Sequence, residues 1–197
     1  MSSPPAVAFE PASSLHAPAL NALFERAGSG CHCRYWHFTG DKNAWLDRLA
    51  HAPELNAREL SDELGSEQLA PHGLVARRGE RVLGWLKLTA APRLAKLYTT
   101  RPYKTLDCFA GERDGVLAIG CFLVDPEERR RGIANGLLGA AIEHARALGA
   151  RAIEAFPRRG AELGPEELWM GPASLFERHG FRVVNELTPY PVLRLDL

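Results

Sequence analysis

Nine consecutive residues, Val116 to Val124 (Val-Leu-Ala-Ile-Gly-Cys-Phe-Leu-Val), carry no charge, and they constrain the fold of this 197-residue chain more than any other feature. A run of that length without polar alternation fits a strand covered on both faces. Asp125-Pro126 stops it. Beyond a polar stretch, Ala134, Leu137, Leu138, Ala141, Ile142, Ala145 and Leu148 recur at helical spacing until Gly149, the pattern of a helix with one apolar face. Ala152 to Phe156 is then a second interior strand. Strand, helix and strand from 116 to 156 suit a right-handed parallel crossover, so the predicted class is α/β with a mixed sheet.

The flanking sequence supplies further elements. Val7 to Glu10 reads as a short strand, and Ser14 offers a cap for a helix that ends near Gly28. Two more helical stretches are expected at Asp41–Ala50 and Asn56–Leu64. Leu74–Ala76 and Val82–Leu86 flank a polar turn in the manner of a hairpin. Residues 89–113 show no clear period and are expected to be loop with short structure possible within it, and Pro172 to His179 reads as a helix closed by Gly180. Strands are expected at 181–184 and 192–195. Residues 1–6 form an expected flexible start, followed by one domain over 7–197.

Twenty-four basic and 24 acidic side chains cancel, so no global charge draws the chain to nucleic acid or to an anionic membrane. The apolar runs are too short to span a bilayer and the amino terminus lacks a secretory pattern, so a cytoplasmic protein is expected. Cys31, Cys33, Cys108 and Cys121 are read as reduced thiols, and Cys31, His32, Cys33 and His37 lack the paired spacing of a zinc site, so no metal is expected. Cys121, in a buried strand, is read as an apolar filler rather than a nucleophile.

Any anion site must therefore be local. Arg129-Arg130-Arg131-Gly132-Ile133-Ala134 lies between the interior strand and the amphipathic helix. There, free N–H groups of the first helical turn and the helix dipole favour a phosphate, and glycine lets the backbone approach it. The chain lacks Gly-x-x-x-x-Gly-Lys-Ser/Thr and Gly-x-Gly-x-x-Gly, which ranks a nucleotide-binding protein last.

Val124-Asp125-Pro126 followed by this loop resembles the GNAT superfamily of acyl-CoA-dependent N-acyltransferases, whose central strand ends in Val-x-Pro and whose coenzyme loop reads Arg/Gln-x-x-Gly-x-Gly/Ala. Leu175 to Phe181 is similar to that family's closing Gly-Phe signature. The likeness covers 73–184, taken as the acyl-CoA core, with 7–72 as a variable acceptor-side region. It implies a mostly antiparallel sheet of six to seven strands with a central splayed parallel pair. It also implies acetyl-CoA as co-substrate and direct transfer to a small-molecule or peptide amine through a ternary complex; a homodimer stays open. The implied coenzyme contacts are Phe122, Leu123 and Val124 on the strand, and Arg129, Arg130, Arg131, Gly132, Ile133, Ala134, Asn135 and Gly136 in the loop and helix.

The pattern departs in two places. Many members carry a tyrosine acid where this chain has Phe176, and an asparagine where it has Trp169. Ser174 and Tyr103 are the alternative acids, and Glu154 is the candidate base, since burial among apolar neighbours would raise its pKa. The rival function is an acyl-CoA-binding regulatory module without turnover. Arg93, Lys96, Arg101 and Lys104 cluster in the uncertain loop, which leaves an anionic acceptor open beside the reading of solvated loop charges.

Overall fold

The structure, a computed structural model, describes residues 5–66 and 72–197; the part of the flexible-terminus expectation that falls on residues 1–4 lies outside the described residues. Seven strands form one sheet: β1 (Ala8–Pro11), β2 (Leu74–Arg78), β3 (Arg81–Ala90), β4 (Val116–Val124), β5 (Ala152–Ala155), β6 (Arg182–Asn185) and β7 (Val192–Asp196). Their order is β1-β2-β3-β4-β5-β7-β6, and every neighbouring pair is antiparallel except β4 and β5. This is the expected mixed, mostly antiparallel sheet around one parallel pair.

Helix α1 (Ala17–Arg26), α2 (Lys42–His51), α3 (Glu54–Leu64), α4 (Ala95–Thr99), α5 (Ile133–Ala147) and α6 (Ala173–Arg178) complete the fold. Helix α2 starts where Asp41 caps it, its carboxylate accepting the Ala44 N–H at 2.9 Å. Helix α5 lays its apolar stripe of Leu137, Leu138, Ala141, Ile142 and Ala145 on one face of the sheet, against Leu86, Leu88, Leu117 and Ile119. Gly84 on β3 allows that approach: a Cβ there would stand 2.6 Å from Ile133 Cγ2. The opposite face is covered by α1 and α3, whose Leu20, Leu23, Phe24, Leu60 and Leu64 pack with Trp85.

Residues 89–113 contain short structure of the kind left open within the expected loop. They form a 3-10 turn at Ala91–Leu94, helix α4 and another 3-10 turn at Asp107–Phe109. One or two turns carry too few residues to show a period in sequence, yet Leu94 and Leu97 are fully buried at helical spacing and anchor the segment.

Two irregularities of β4 shape the site. Lys87 pairs with Cys121 and Leu88 with Ile119, so Gly120 is an extra residue opposite β3, a β-bulge. On its other side, β4 pairs with β5 only through Val116, Leu117 and Ala118. From there the parallel strands part, and the last residues of β4 present one edge without a strand partner.

Candidate active site

The gap beyond that divergence opens into a cavity of about 920 Å³ that runs from the end of β4 to the start of α5. Phe122, Leu123 and Val124 form its floor; Glu128, Arg129, Arg130, Gly132, Ile133, Ala134 and Asn135 form one end. Gly28, Ser29 and Cys31 close one side, and Leu163, Leu168, Trp169, Pro172, Leu175 and Arg178 close the other.

The character of the α5 end follows from helix physics. Gly132 caps α5 in the left-handed region, φ 81°, with nothing near the place a Cβ would take, and no side chain caps the helix. The first intrahelical bond runs from Gly136 N–H to Gly132 O at 2.9 Å. The N–H groups of Ile133, Ala134 and Asn135 therefore have no acceptor within the helix and face the cavity end. Arg130 is also left-handed, φ 63°, and neither Arg129 nor Arg130 has an ion pair among the described residues, which leaves both free for an anion. The base of the loop is held by Asp125. Burial would raise its pKa, but hydrogen bonds from Arg81 and Arg26, each 2.9 Å, outweigh that and hold it below the usual range.

Three expected contacts with the coenzyme are placed differently. Arg131 does not line the cavity; it turns outward to Glu128 at 3.3 Å. Gly136 faces the sheet, where a Cβ would run into the Phe9 ring of β1, so its glycine serves packing rather than a ligand. Phe122 N–H does point away from β3, but the Trp169 carbonyl takes it at 2.7 Å. Asp125 N–H bonds Leu83 O on β3. Alternation along the strand then directs the Val124 N–H outward into the gap, as the available amide of that edge.

The candidate catalytic side chains are not gathered at the cavity. Glu154 has no exposure and carries a closed set of partners: Arg113 through both carboxylate oxygens (2.9 and 2.6 Å), Arg194 at 2.5 Å and the Tyr98 hydroxyl at 2.6 Å. It lies on the far side of the sheet from α5, with every oxygen engaged, which suits a structural anchor and not a base. Tyr103 is buried in an aromatic group with Phe156, centroids 5.2 Å apart, and burial pushes its pKa well up. Ser174 is exposed and off the cavity wall. Phe176 is wholly buried, edge-on to Phe122 and Phe181 at 5.8 and 5.3 Å.

Trp169, in contrast, forms part of the wall, and its ring stacks on Trp36 at 5.6 Å. A buried ionic group that sequence reading did not find lies next to the β4 bulge. Lys87, fully buried on β3, bonds Glu63 of α3, and Arg34 bonds the same carboxylate. Burial would raise Glu63, but Lys87 and Arg34 prevail and bring it down to about 2. A lysine inside the apolar run 82–88 was the available signal, because such a charge needs a counter-charge when it is buried.

A family model described as the acetyltransferase (GNAT) family matches residues 33–162, from the segment before α2 to beyond β5. The chain belongs to the GNAT acetyltransferase family. With it comes the class of activity, acyl-CoA-dependent N-acetyl transfer. Among similar solved structures are the PaiA N-acetyltransferase of Thermoplasma acidophilum in complex with coenzyme A (13% identity, 98% of this chain and 99% of that one, TM-score 0.59) and a GCN5-related N-acetyltransferase of Kribbella flavida (20%, 98% of each, 0.56). Another is yncA, a putative acetyltransferase of Salmonella typhimurium with acetyl-CoA (17%, 98% and 94%, 0.50). At these identities they attest to the GNAT fold. No curated protein matches the chain. Among the described residues, no group of three or more His, Cys, Asp or Glu is placed to hold a metal, and no helix is long and apolar enough to cross a membrane.

Proposed function

We propose that this GNAT protein transfers an acetyl group from acetyl-CoA directly to a primary amine within a ternary complex. The observation that carries the reading is the cavity itself, which joins an uncapped helix start to the unpaired edge of a central strand. A ligand with a diphosphate at one end and a thioester at the other matches both ends, and relatives of this fold hold coenzyme A and acetyl-CoA.

In this assignment the amides of residues 133–135, with Arg129 and Arg130, hold the diphosphate. Val124 N–H engages a pantetheine amide, and Trp169 bounds the acyl end. The acceptor reaches the thioester from the side of the β4 bulge. It must arrive as the free amine, since an ammonium of pKa about 10 has no lone pair to give. With Glu154 fully engaged, the ammonium proton passes to solvent. Phe176 has no proton to donate, so the departing thiol, whose pKa of about 8.5 makes it a tolerable leaving group, leaves as thiolate and takes its proton from water.

The test is a calorimetric titration with acetyl-CoA, followed by CoA-thiol release across an amine panel. Binding with turnover of at least one amine is the expected result. Failure to bind acetyl-CoA would overturn the proposal, and binding without turnover of any amine would favour a regulatory module.

A further inference from the structure

On the acceptor side of the β4 bulge, four buried polar atoms have no hydrogen-bond partner: Trp36 Nε1, His37 Nε2, Thr89 Oγ1 and Arg93 Nη1. Solitary buried polar atoms are each costly, by enough that native proteins rarely keep them without a ligand or water. These four come from three segments that border the bulge, and His37 lies close enough to Lys87 and Arg93 to feel both charges. A Cβ on Gly120, the bulge residue, would lie 3.8 Å from Trp36 Cδ1, 3.4 Å from Lys87 Cγ and 3.3 Å from Leu94 Cδ1. Arg93 precedes Leu94, His37 follows Trp36, and Thr89 is two residues from Lys87 on the same face of β3. Thr89 is wholly buried.

Two members of the set can only donate. Indole and guanidinium nitrogens only donate, so Trp36 and Arg93 cannot satisfy each other; both need lone pairs. Thr89 and neutral His37 can donate as well. The charge agrees. Lys87 and Arg34 share Glu63, Arg34 and Arg48 share Glu59, while Arg93 has no ion pair with any described residue. His37 registers the resulting positive field: burial first, then Lys87, Arg34 and Arg93, outweigh Glu63 and bring it down to about 3.

We infer that Arg93, Thr89, Trp36 and His37 form an oxyanion subsite, and that the acceptor is a primary amine that also carries a carboxylate or phosphonate. This rests on the acetyltransferase reading and gives it a substrate class. Trp36 is one aromatic layer from the coenzyme cavity through its stack on Trp169, so an anion held here keeps the amine of a small molecule close to the acyl end.

The experiment compares kcat/KM with acetyl-CoA for amino acids, their carboxamides and the matching aminoalkylphosphonates. Acids are expected to exceed amides by about tenfold to a hundredfold, the value of a charge-assisted hydrogen bond; the phosphonate arm tells which oxyanion fits. In Arg93→Gln the acid-to-amide ratio falls toward one whatever the absolute rate, and Arg93→Lys restores part of it. Circular dichroism melting confirms that each variant is folded. Equal rates for acids and amides, or a ratio unmoved in Arg93→Gln, overturn the subsite and mean that bound water satisfies these atoms. If no compound turns over, the CoA-saturated protein is titrated with the same compounds and followed by tryptophan fluorescence. A response to acids alone supports the subsite, and none at millimolar concentration overturns it. Failure to bind acetyl-CoA in the first place would instead strike the parent reading.

Discussion

Two glycines of one loop motif do different jobs, and substitution separates them. Gly132 is left-handed with open space around it. Gly132→Ala costs about 1–2 kcal/mol of backbone strain where we propose that the diphosphate is held, so its main expected effect is a weaker acetyl-CoA affinity, read by calorimetry. Gly136→Ala drives a methyl group into Phe9. It should lower unfolding stability by roughly 1–3 kcal/mol in urea titration, with Phe9→Ala on top recovering part. Glu154 makes the same point for charge. Sequence showed a carboxylate among apolar neighbours, but the two arginines that hold it arrive from 113 and 194, and nothing local predicts them. Glu154→Gln leaves those guanidinium groups without their counter-charge and should cost roughly 3–5 kcal/mol of stability. Turnover per folded molecule should persist; a collapse of kcat with stability intact would restore Glu154 as base.

The unit β4, loop and α5 was legible because its signals are local: an apolar run, a proline stop, a glycine start and a helical period. The other wall of the site was not. Residues 165–172 have no period, and only the fold brings the Trp169 carbonyl to the Phe122 N–H, which occupies one amide of that strand edge. The bulge at Gly120 was equally hidden, since an extra residue in a strand is defined by its partner, here β3. If Trp169 bounds the acyl end, Trp169→Ala should raise the turnover of propionyl-CoA and butyryl-CoA relative to acetyl-CoA, measured by thiol release with one amine. An unchanged ratio would place the acyl limit elsewhere.

At the level of the whole molecule, balanced charge conceals a sheet face that holds several buried ionic side chains, and this dictates the response to acid. Glu63 sits at about 2 in the fold against an ordinary 4.5, so its share of stability is complete above 4.5 and lost as pH falls toward 2. His37 sits at about 3 against 6.5; the unfolded chain binds that proton first, and stability begins to drop below 6.5. Both act in one direction. Urea midpoints should hold steady from about pH 6.5 to about pH 8, decline through pH 3, and fall again above about pH 9, where burial keeps the Cys31 thiol protonated to about 11; His37→Asn should remove part of the upper acid decline, which His32 and His144, also lowered by burial, share. The stack of Trp36 on Trp169 has its own consequence. It joins the segment before α2 to the loop before α6 beside the cavity, so under the proposed function the coenzyme and the amine share a wall. Thermodynamic reciprocity then requires that whatever factor bound thioester applies to the amine's affinity, bound amine applies to the thioester's.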